Sequence, residues 1–298
     1  MLSSIGILVT NYKAWPVTEQ TVLAALKHGG ETVRRVLIVD DCSDAPNAWS
    51  GDARVSIHRN AENLGYVRSL NTGMAMMKED IIVMLDCDAR PLTPFVEIVL
   101  GAFAADEKLG AIAFTQTDQS RQLRPACEPG PAALDFIIGP ALWNRFPKVL
   151  RDELSPPASY LCLHSCCFAF RREAYAQVGG FDEGFDFLDA DMDFSVCLNK
   201  AGWKTSFTQE VVCFHPGSGS PQSTATRVIR LHRNRLRLLR KHGLMPVMTL
   251  SRLLLFTRHV AEAVLLFIAL LLQRPDAQDK FSCRLRLLDS VFNDYQNS

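Results

Sequence analysis

Three short, branched apolar runs in the first hundred residues, Ile5 to Thr10, Arg35 to Val39 and Ile81 to Leu85, alternate with segments of helical spacing at Thr18 to Lys27 and Val67 to Met77. Runs that are apolar throughout, rather than at every second position, read as strands covered on both faces. Strand and helix in alternation make βαβ units. Right-handed crossovers then bring the ends of the strands together along one edge of the sheet, which is where open α/β sheets bind ligands. The expected fold class is α/β, a Rossmann-like mixed sheet flanked by helices.

Each of these runs stops at polar side chains: Asn11-Tyr12, Asp40-Asp41-Cys42-Ser43 and Asp86-Cys87-Asp88. One such ending is ordinary turn chemistry, whereas three in succession point to a site. Asp86 and Asp88 follow a buried strand with one residue between them, so alternation turns both carboxylates the same way. A pair of this kind suits a hard divalent cation, Mg2+ or Mn2+, that keeps coordination positions for diphosphate oxygens. A second acidic centre lies at Asp189-Ala190-Asp191-Met192-Asp193, at the start of a helix expected over Asp191 to Lys200. Acids there serve as caps, or as a base that takes a proton from an attacking hydroxyl.

Lys+Arg and Asp+Glu both count 32, and a net charge of zero leaves no field to draw nucleic acid. The nine cysteines have neither metal-ligand spacing nor an even count, so they are read as free thiols in a reducing compartment. The chain opens on a strand-like run rather than a targeting signal, which predicts a cytoplasmic protein. Residues from Gly101 to about Ser159, broken by prolines, are expected to be a loop-rich insertion. Ser165 to Phe170 and Lys204 to Phe214 are expected strands, the latter running into His215.

Ala225 to His242 reads as a basic amphipathic helix. Leu253 to Leu272 is strongly apolar but carries Arg258, His259 and Glu262. That leaves only Ala263 to Leu272 uninterrupted, short of the about 20 residues a bilayer requires. The basic stripe reads as a solvated, salt-bridged face or, because a basic helix beside an apolar one is an interfacial signature, as a contact with anionic lipid headgroups.

The order of an apolar strand with Asn-Tyr, a Val-Asp-Asp-x-Ser turn, Asn63-Leu64-Gly65-Tyr66 with Asn71-x-Gly73, and Asp86-x-Asp88 resembles the family 2 glycosyltransferases of GT-A fold. Arg171-Arg172-Glu173-Ala174-Tyr175 leading to Val178-Gly179-Gly180-Phe181-Asp182-Glu183, then Asp191-x-Asp193, Ala201-Gly202-Trp203 and His215, continue the likeness. Within the family, the rhamnosyltransferase-like enzymes of bacterial cell-surface polysaccharide assembly are the most similar.

The resemblance implies a catalytic domain over residues 1–243 and a C-terminal helical extension, amphipathic and apolar, over 244–298. It implies an inverting, metal-dependent hexosyl transfer from a nucleoside-diphosphate sugar, dTDP-rhamnose-like or UDP-linked, to a saccharide or lipid-linked saccharide acceptor. The implied place is the cytoplasmic face of the cell membrane. Thr10, Asn11, Tyr12, Asp40, Asp41, Asn63, Gly65, Asn71 and Asp86 fall at donor-binding positions. Asp86, Asp88 and His215 fall at metal positions and Asp191 at that of the catalytic base. Ala190 stands where the family has Glu, which keeps Asp189 as an alternative base. Two other readings are a non-catalytic membrane-associated scaffold and a nucleotidyltransferase; the latter needs a Gly-rich phosphate loop where this chain has Asn11-Tyr12-Lys13.

Overall fold

The computed structural model describes residues 4–44, 49, 51–155, 158–216, 224–245 and 247–292. The strands are β1 (Ile5–Asn11), β2 (Val33–Asp40), β3 (Val55–Arg59), β4 (Ile81–Leu85), β5 (Arg90–Pro91), β6 (Leu109–Thr117), β7 (Leu123–Arg124), β8 (Cys127–Pro129), β9 (Leu161–Leu163), β10 (Cys167–Arg171) and β11 (Lys204–Phe214). The helices are α1 (Trp15–Gly29), α2 (Tyr66–Met76), α3 (Val96–Ala105), α4 (Ala133–Ile138), α5 (Pro140–Trp143), α6 (Lys148–Leu154), α7 (Arg172–Gln177), α8 (Ala190–Lys200), α9 (Thr224–Lys241), α10 (Met248–Leu271) and α11 (Ala277–Phe292).

Residues 1–130 and 159–219 make one compact unit, and 131–158 with 220–298 a second, so α9 groups with the C-terminal helices and not with the sheet that precedes it. In the first unit the main sheet runs β3-β2-β1-β4-β10-β6-β11-β5. β1 is parallel to β2 and β4, β2 to β3, and β6 to β11. β10 is reversed between β4 and β6, antiparallel to both, and the two-residue strands β5 and β7 pair antiparallel with β11 and β6.

The reversal of β10 has a consequence for function. The carboxyl ends of β1, β2, β4, β6 and β11 share one edge with the amino end of β10. Asn11, Asp40, Leu85, Thr117 and Phe214 therefore end their strands where Cys166 and Cys167 begin another. A backbone bond from the Asp86 N–H to the Cys166 carbonyl, 2.9 Å, ties the two directions together.

β1 and β4 are buried at every position, as their unbroken apolar sequences predict. β6 corrects the loop-rich reading of Gly101 to Ser159: all nine of its residues are buried and it lies between β10 and β11. Its Leu-Gly-Ala-Ile-Ala-Phe run is unbroken by polar residues, though Gly and Ala make it less apolar than β4. β3 also went unread, because Val55 and Ile57 alternate with polar residues over only five positions.

Arg171 is 7% exposed and donates to the carbonyls of Leu109 (2.8 Å), Phe103 (2.6 Å) and Asp106 (3.1 Å), which joins β10 to the α3–β6 corner. All nine cysteines are free thiols.

In the second unit α10 is one continuous helix. Thr249–Leu271 is 23 residues long, apolar enough by length and composition to cross a membrane, in contrast to the interrupted run read from the sequence. Its charges do not interrupt an outer face, because they are turned inward: His259 is fully buried, and Glu262 binds Arg258 Nε at 2.9 Å and Arg284 Nε of α11 at 2.8 Å.

Candidate active site at the sheet edge

Asp86 and Asp88 leave the end of β4, and His215 leaves the end of β11. His215 Nε2 lies 3.5 Å from Asp88 Oδ1 and 4.0 Å from Asp86 Oδ2. One ligand atom from each of the three falls within 4.8 Å of the others. Two carboxylates and an imidazole form a donor set that fits Mg2+ or Mn2+ by hardness. Burial holds the His215 imidazole below its ordinary pKa, and the Arg124 charge adds to that against the pull of Asp88. That direction favours the neutral ring, the form with a lone pair for coordination.

Asp86 is shaped by its neighbours. Tyr66, the first residue of α2, donates its hydroxyl to Asp86 Oδ1 at 2.6 Å. Burial pushes the Asp86 carboxyl up to about 7; the Tyr66 hydrogen bond opposes this, and the charges of Asp88 and Asp191 raise it further. An edge crowded with carboxylates is one that a cation relieves.

Asp191 lies in the first turn of α8. It accepts the Ser165 N–H on Oδ2 and its neighbour Met192's N–H on Oδ1, both at 2.8 Å. Burial raises its carboxyl above the usual range, the Ser165 hydrogen bond and the His164 charge hold it down, and Asp189 raises it. Its charge acts on both Asp86 and Tyr66, so the two acidic centres of the sequence face one region. Asp189 is the residue preceding α8, in the left-handed region at φ 61°, and its carbonyl accepts the Asp193 N–H.

The expected donor-binding residues divide. Tyr12 is 48% exposed and Asn63 is exposed, beside the ends of β1 and β3. Thr10 and Asn11 are buried; Asn11 donates to Asp40 Oδ1 at 2.7 Å and to Ser43 Oγ at 3.2 Å, and accepts from Thr18 at 2.7 Å. Asp40 is 1% exposed and also takes Arg59 at 3.1 Å. Asp41, 5% exposed, receives Asn60 Nδ2 and the N–H groups of Leu64 and Gly65, at 2.8–2.9 Å. These acids hold the turn and the α2 entry in shape.

Gly65 permits that entry, since its φ of +84° would strain a side chain. Asn71 pins the double-glycine loop: it donates to the Phe181 carbonyl at 2.9 Å and to Glu183 at 3.1 Å, and it accepts from Tyr175 at 2.8 Å and from the Phe181 N–H at 3.2 Å.

Four residues at this edge were not singled out as site residues by sequence: Tyr66, Ser165, His164 and Arg124. Tyr66 lies in the Asn63-Leu64-Gly65-Tyr66 motif and Ser165 opens an expected strand, whereas His164 and Arg124 come from segments without periodic or motif signal. Arg124 is paired with Asp118, whose carboxyl the Ser120 and Arg124 hydrogen bonds lower to about 2. His164 is anchored through its N–H to the Ala126 carbonyl at 2.9 Å.

Comparison with known proteins bears on the family and the fold. The sequence model of the family described as Glycosyl transferase family 2 matches residues 6–179. An N-acetylglucosaminyl-diphospho-decaprenol L-rhamnosyltransferase of Mycobacterium tuberculosis is 24% identical over 257 residues, 78% of this chain and 83% of that protein. The UDP-forming cellulose synthase catalytic subunit of Komagataeibacter sucrofermentans is 29% identical over 51% of this chain and 18% of its own length.

Among solved structures, a mannosyltransferase from Pyrobaculum calidifontis in complex with GDP-Man and Mn2+ superposes with a TM-score of 0.51, at 16% identity, over 95% of this chain and 84% of that one. GalNAc-T7 with UDP, GalNAc and Mn2+ superposes with a TM-score of 0.56, at 13% identity, over 80% of this chain and about half (48%) of its own.

Proposed function

The chain belongs to glycosyl transferase family 2 and has its GT-A fold, and from that premise we propose that it moves a sugar, with inversion, from a nucleoside-diphosphate donor to an acceptor hydroxyl. The convergence of Asp86, Asp88, His215 and Asp191 on one sheet edge carries this reading. Asp191 takes the proton of the acceptor hydroxyl; the acceptor oxygen bonds to the anomeric carbon as the bond from that carbon to the diphosphate oxygen breaks. A carboxylate held by two backbone N–H groups is aimed, and burial keeps it basic enough to accept a proton. Asp86, Asp88 and His215 would hold Mg2+ or Mn2+. When bound, that ion supplies Lewis-acid stabilisation of the charge that builds on the departing diphosphate.

Asp191 acts as the base in preference to Asp189, because its charge is felt at Asp86 and Tyr66 while Asp189 caps the helix through its carbonyl. Tyr12, Asn63 and the loops shaped by Asp40 and Asp41 receive the nucleoside, a thymidine or uridine diphosphate carrying rhamnose or a related hexose. The acceptor is a lipid-linked saccharide, a reading supported by the likeness to the mycobacterial N-acetylglucosaminyl-diphospho-decaprenol L-rhamnosyltransferase. The exposed face of α10, with Leu253, Leu265, Ile268 and Leu271 between 47% and 68% exposed, rests the protein on the cytoplasmic surface of the membrane.

The test is nucleoside-diphosphate release and sugar transfer by purified wild type, Asp191→Asn and Asp88→Ala, with Mn2+ and the donors that a thermal-shift screen of nucleoside diphosphates selects. Both variants should lose transfer. Activity near the wild-type level in both overturns the assignment.

A further inference from the structure

The two acidic centres are joined by a short polar bridge. Tyr66 donates to Asp86 Oδ1 at 2.6 Å and so occupies that oxygen, while Oδ2 is the one facing His215 Nε2, at 4.0 Å. The Ser165 side chain lies close enough to the Tyr66 hydroxyl to act on it, and the backbone N–H of the same serine donates to Asp191 Oδ2 at 2.8 Å. A serine placed just before β10 therefore stands beside both halves of the site, its side chain near the phenol and its main chain bonded to Asp191. The reversal of β10 puts it there: the strand begins at the edge where β4 ends, and the Asp86 N–H to Cys166 carbonyl bond sets the spacing.

A phenol at this point does two things. It fixes the rotation of the Asp86 carboxylate, so that one oxygen is reserved for a cation. It also transmits the position of Ser165, and hence of Asp191, to that carboxylate.

We propose that Tyr66 and Ser165 are positioning residues that set the Asp86 oxygen presented to the metal and hold it in register with the base Asp191. The inference rests on the functional reading above, in which Asp86 ligates a cation and Asp191 accepts the proton. Neither residue touches the reacting atoms; each acts through an acid. Outer-shell partners that orient a ligand are worth roughly 10- to 100-fold in metal affinity or activity.

The experiment measures binding of Mn2+ alone, from the electron paramagnetic resonance of free Mn2+, together with melting temperature and transfer kinetics. It compares wild type, Tyr66→Phe, Ser165→Ala, the double variant and Asp88→Ala. Tyr66→Phe should weaken Mn2+ binding about tenfold while the melting temperature stays close to wild type. Ser165→Ala, which keeps the N–H to Asp191, should weaken it less. The double variant should weaken it no more than Tyr66→Phe alone, because the serine hydroxyl acts through the phenol.

Tyr66→Phe and Ser165→Ala with wild-type Mn2+ affinity, beside an Asp88→Ala that has lost it, overturn the positioning role and leave the metal site standing. Unchanged binding in Asp88→Ala overturns the metal reading itself. Fully additive losses in the double variant overturn the bridge. Should Tyr66→Phe fail to fold, Ser165→Ala decides alone: wild-type Mn2+ affinity there refutes the bridge.

Discussion

His215 Nε2 stands 3.5 Å from Asp88 Oδ1, although one follows the last strand of the sheet unit and the other a strand near its beginning. The contact exists because β4 and β11, separated in the sheet by β10 and β6, point the same way. If this pair grips a cation, His215→Ala and Asp88→Ala should each lower Mn2+ affinity by at least the roughly 10- to 100-fold that outer-shell partners cost. Titration by electron paramagnetic resonance measures it.

Asp191→Asn keeps the shape of the side chain and removes the base. The expected loss in kcat is about 10²- to 10⁴-fold, with Mn2+ affinity retained because Asp191 is outside the cluster of possible ligands. Parallel loss of both would move Asp191 into the metal site.

The pH dependence follows from the direction of the Asp191 shift. Burial raises its carboxyl above the ordinary carboxylate range, near 3.9. Below the raised value the group carries its proton and cannot accept another; above it the base is ready. The rate should therefore fall as pH drops through a value clearly higher than 3.9. A kcat profile flat down to pH 4 contradicts the base assignment.

Asn71 was expected among donor-binding positions, but its amide is engaged by Tyr175, Phe181 and Glu183. Asn71→Ala leaves the Phe181 backbone groups without their partner, which costs about 1–3 kcal/mol. Urea unfolding should register that loss, while nucleoside-diphosphate affinity changes little. A large affinity loss at unchanged stability would return Asn71 to the pocket.

On α10, Leu253, Leu265 and Ile268 are 52%, 66% and 47% exposed. Replacing all three with Gln removes little packing, so melting should be unaffected. If this face enters the acyl boundary, flotation with anionic liposomes should fall steeply, since a fully buried leucine contributes about 1.5–3 kcal/mol. Equal flotation removes the membrane from the functional reading.

Much of the sheet was legible, because strands covered on both faces are built from continuous apolar runs, as in β1, β4 and residues 36–39 of β2. The same criterion applies to β6, whose Ala and Gly residues and neighbouring prolines masked it. The acidic motifs were also visible as types and spacings. Their hydrogen-bond partners were not: Asp40 and Asp41 are sealed by backbone and side-chain donors, whereas Asp86 and Asp88 stand beside a histidine.

Local composition thus determined which segments are buried strands, which turns carry acids and which helices are amphipathic, since these depend on the periodicity of neighbouring residues. Tertiary structure alone decided that β10 runs backwards, that Tyr66 and Ser165 stand between the two acidic centres, and that Arg258, His259 and Glu262 turn away from the apolar face of α10. Each of these depends on pairing between residues far apart in the chain, where hydrogen-bond direction and burial are settled by partners that no local pattern specifies.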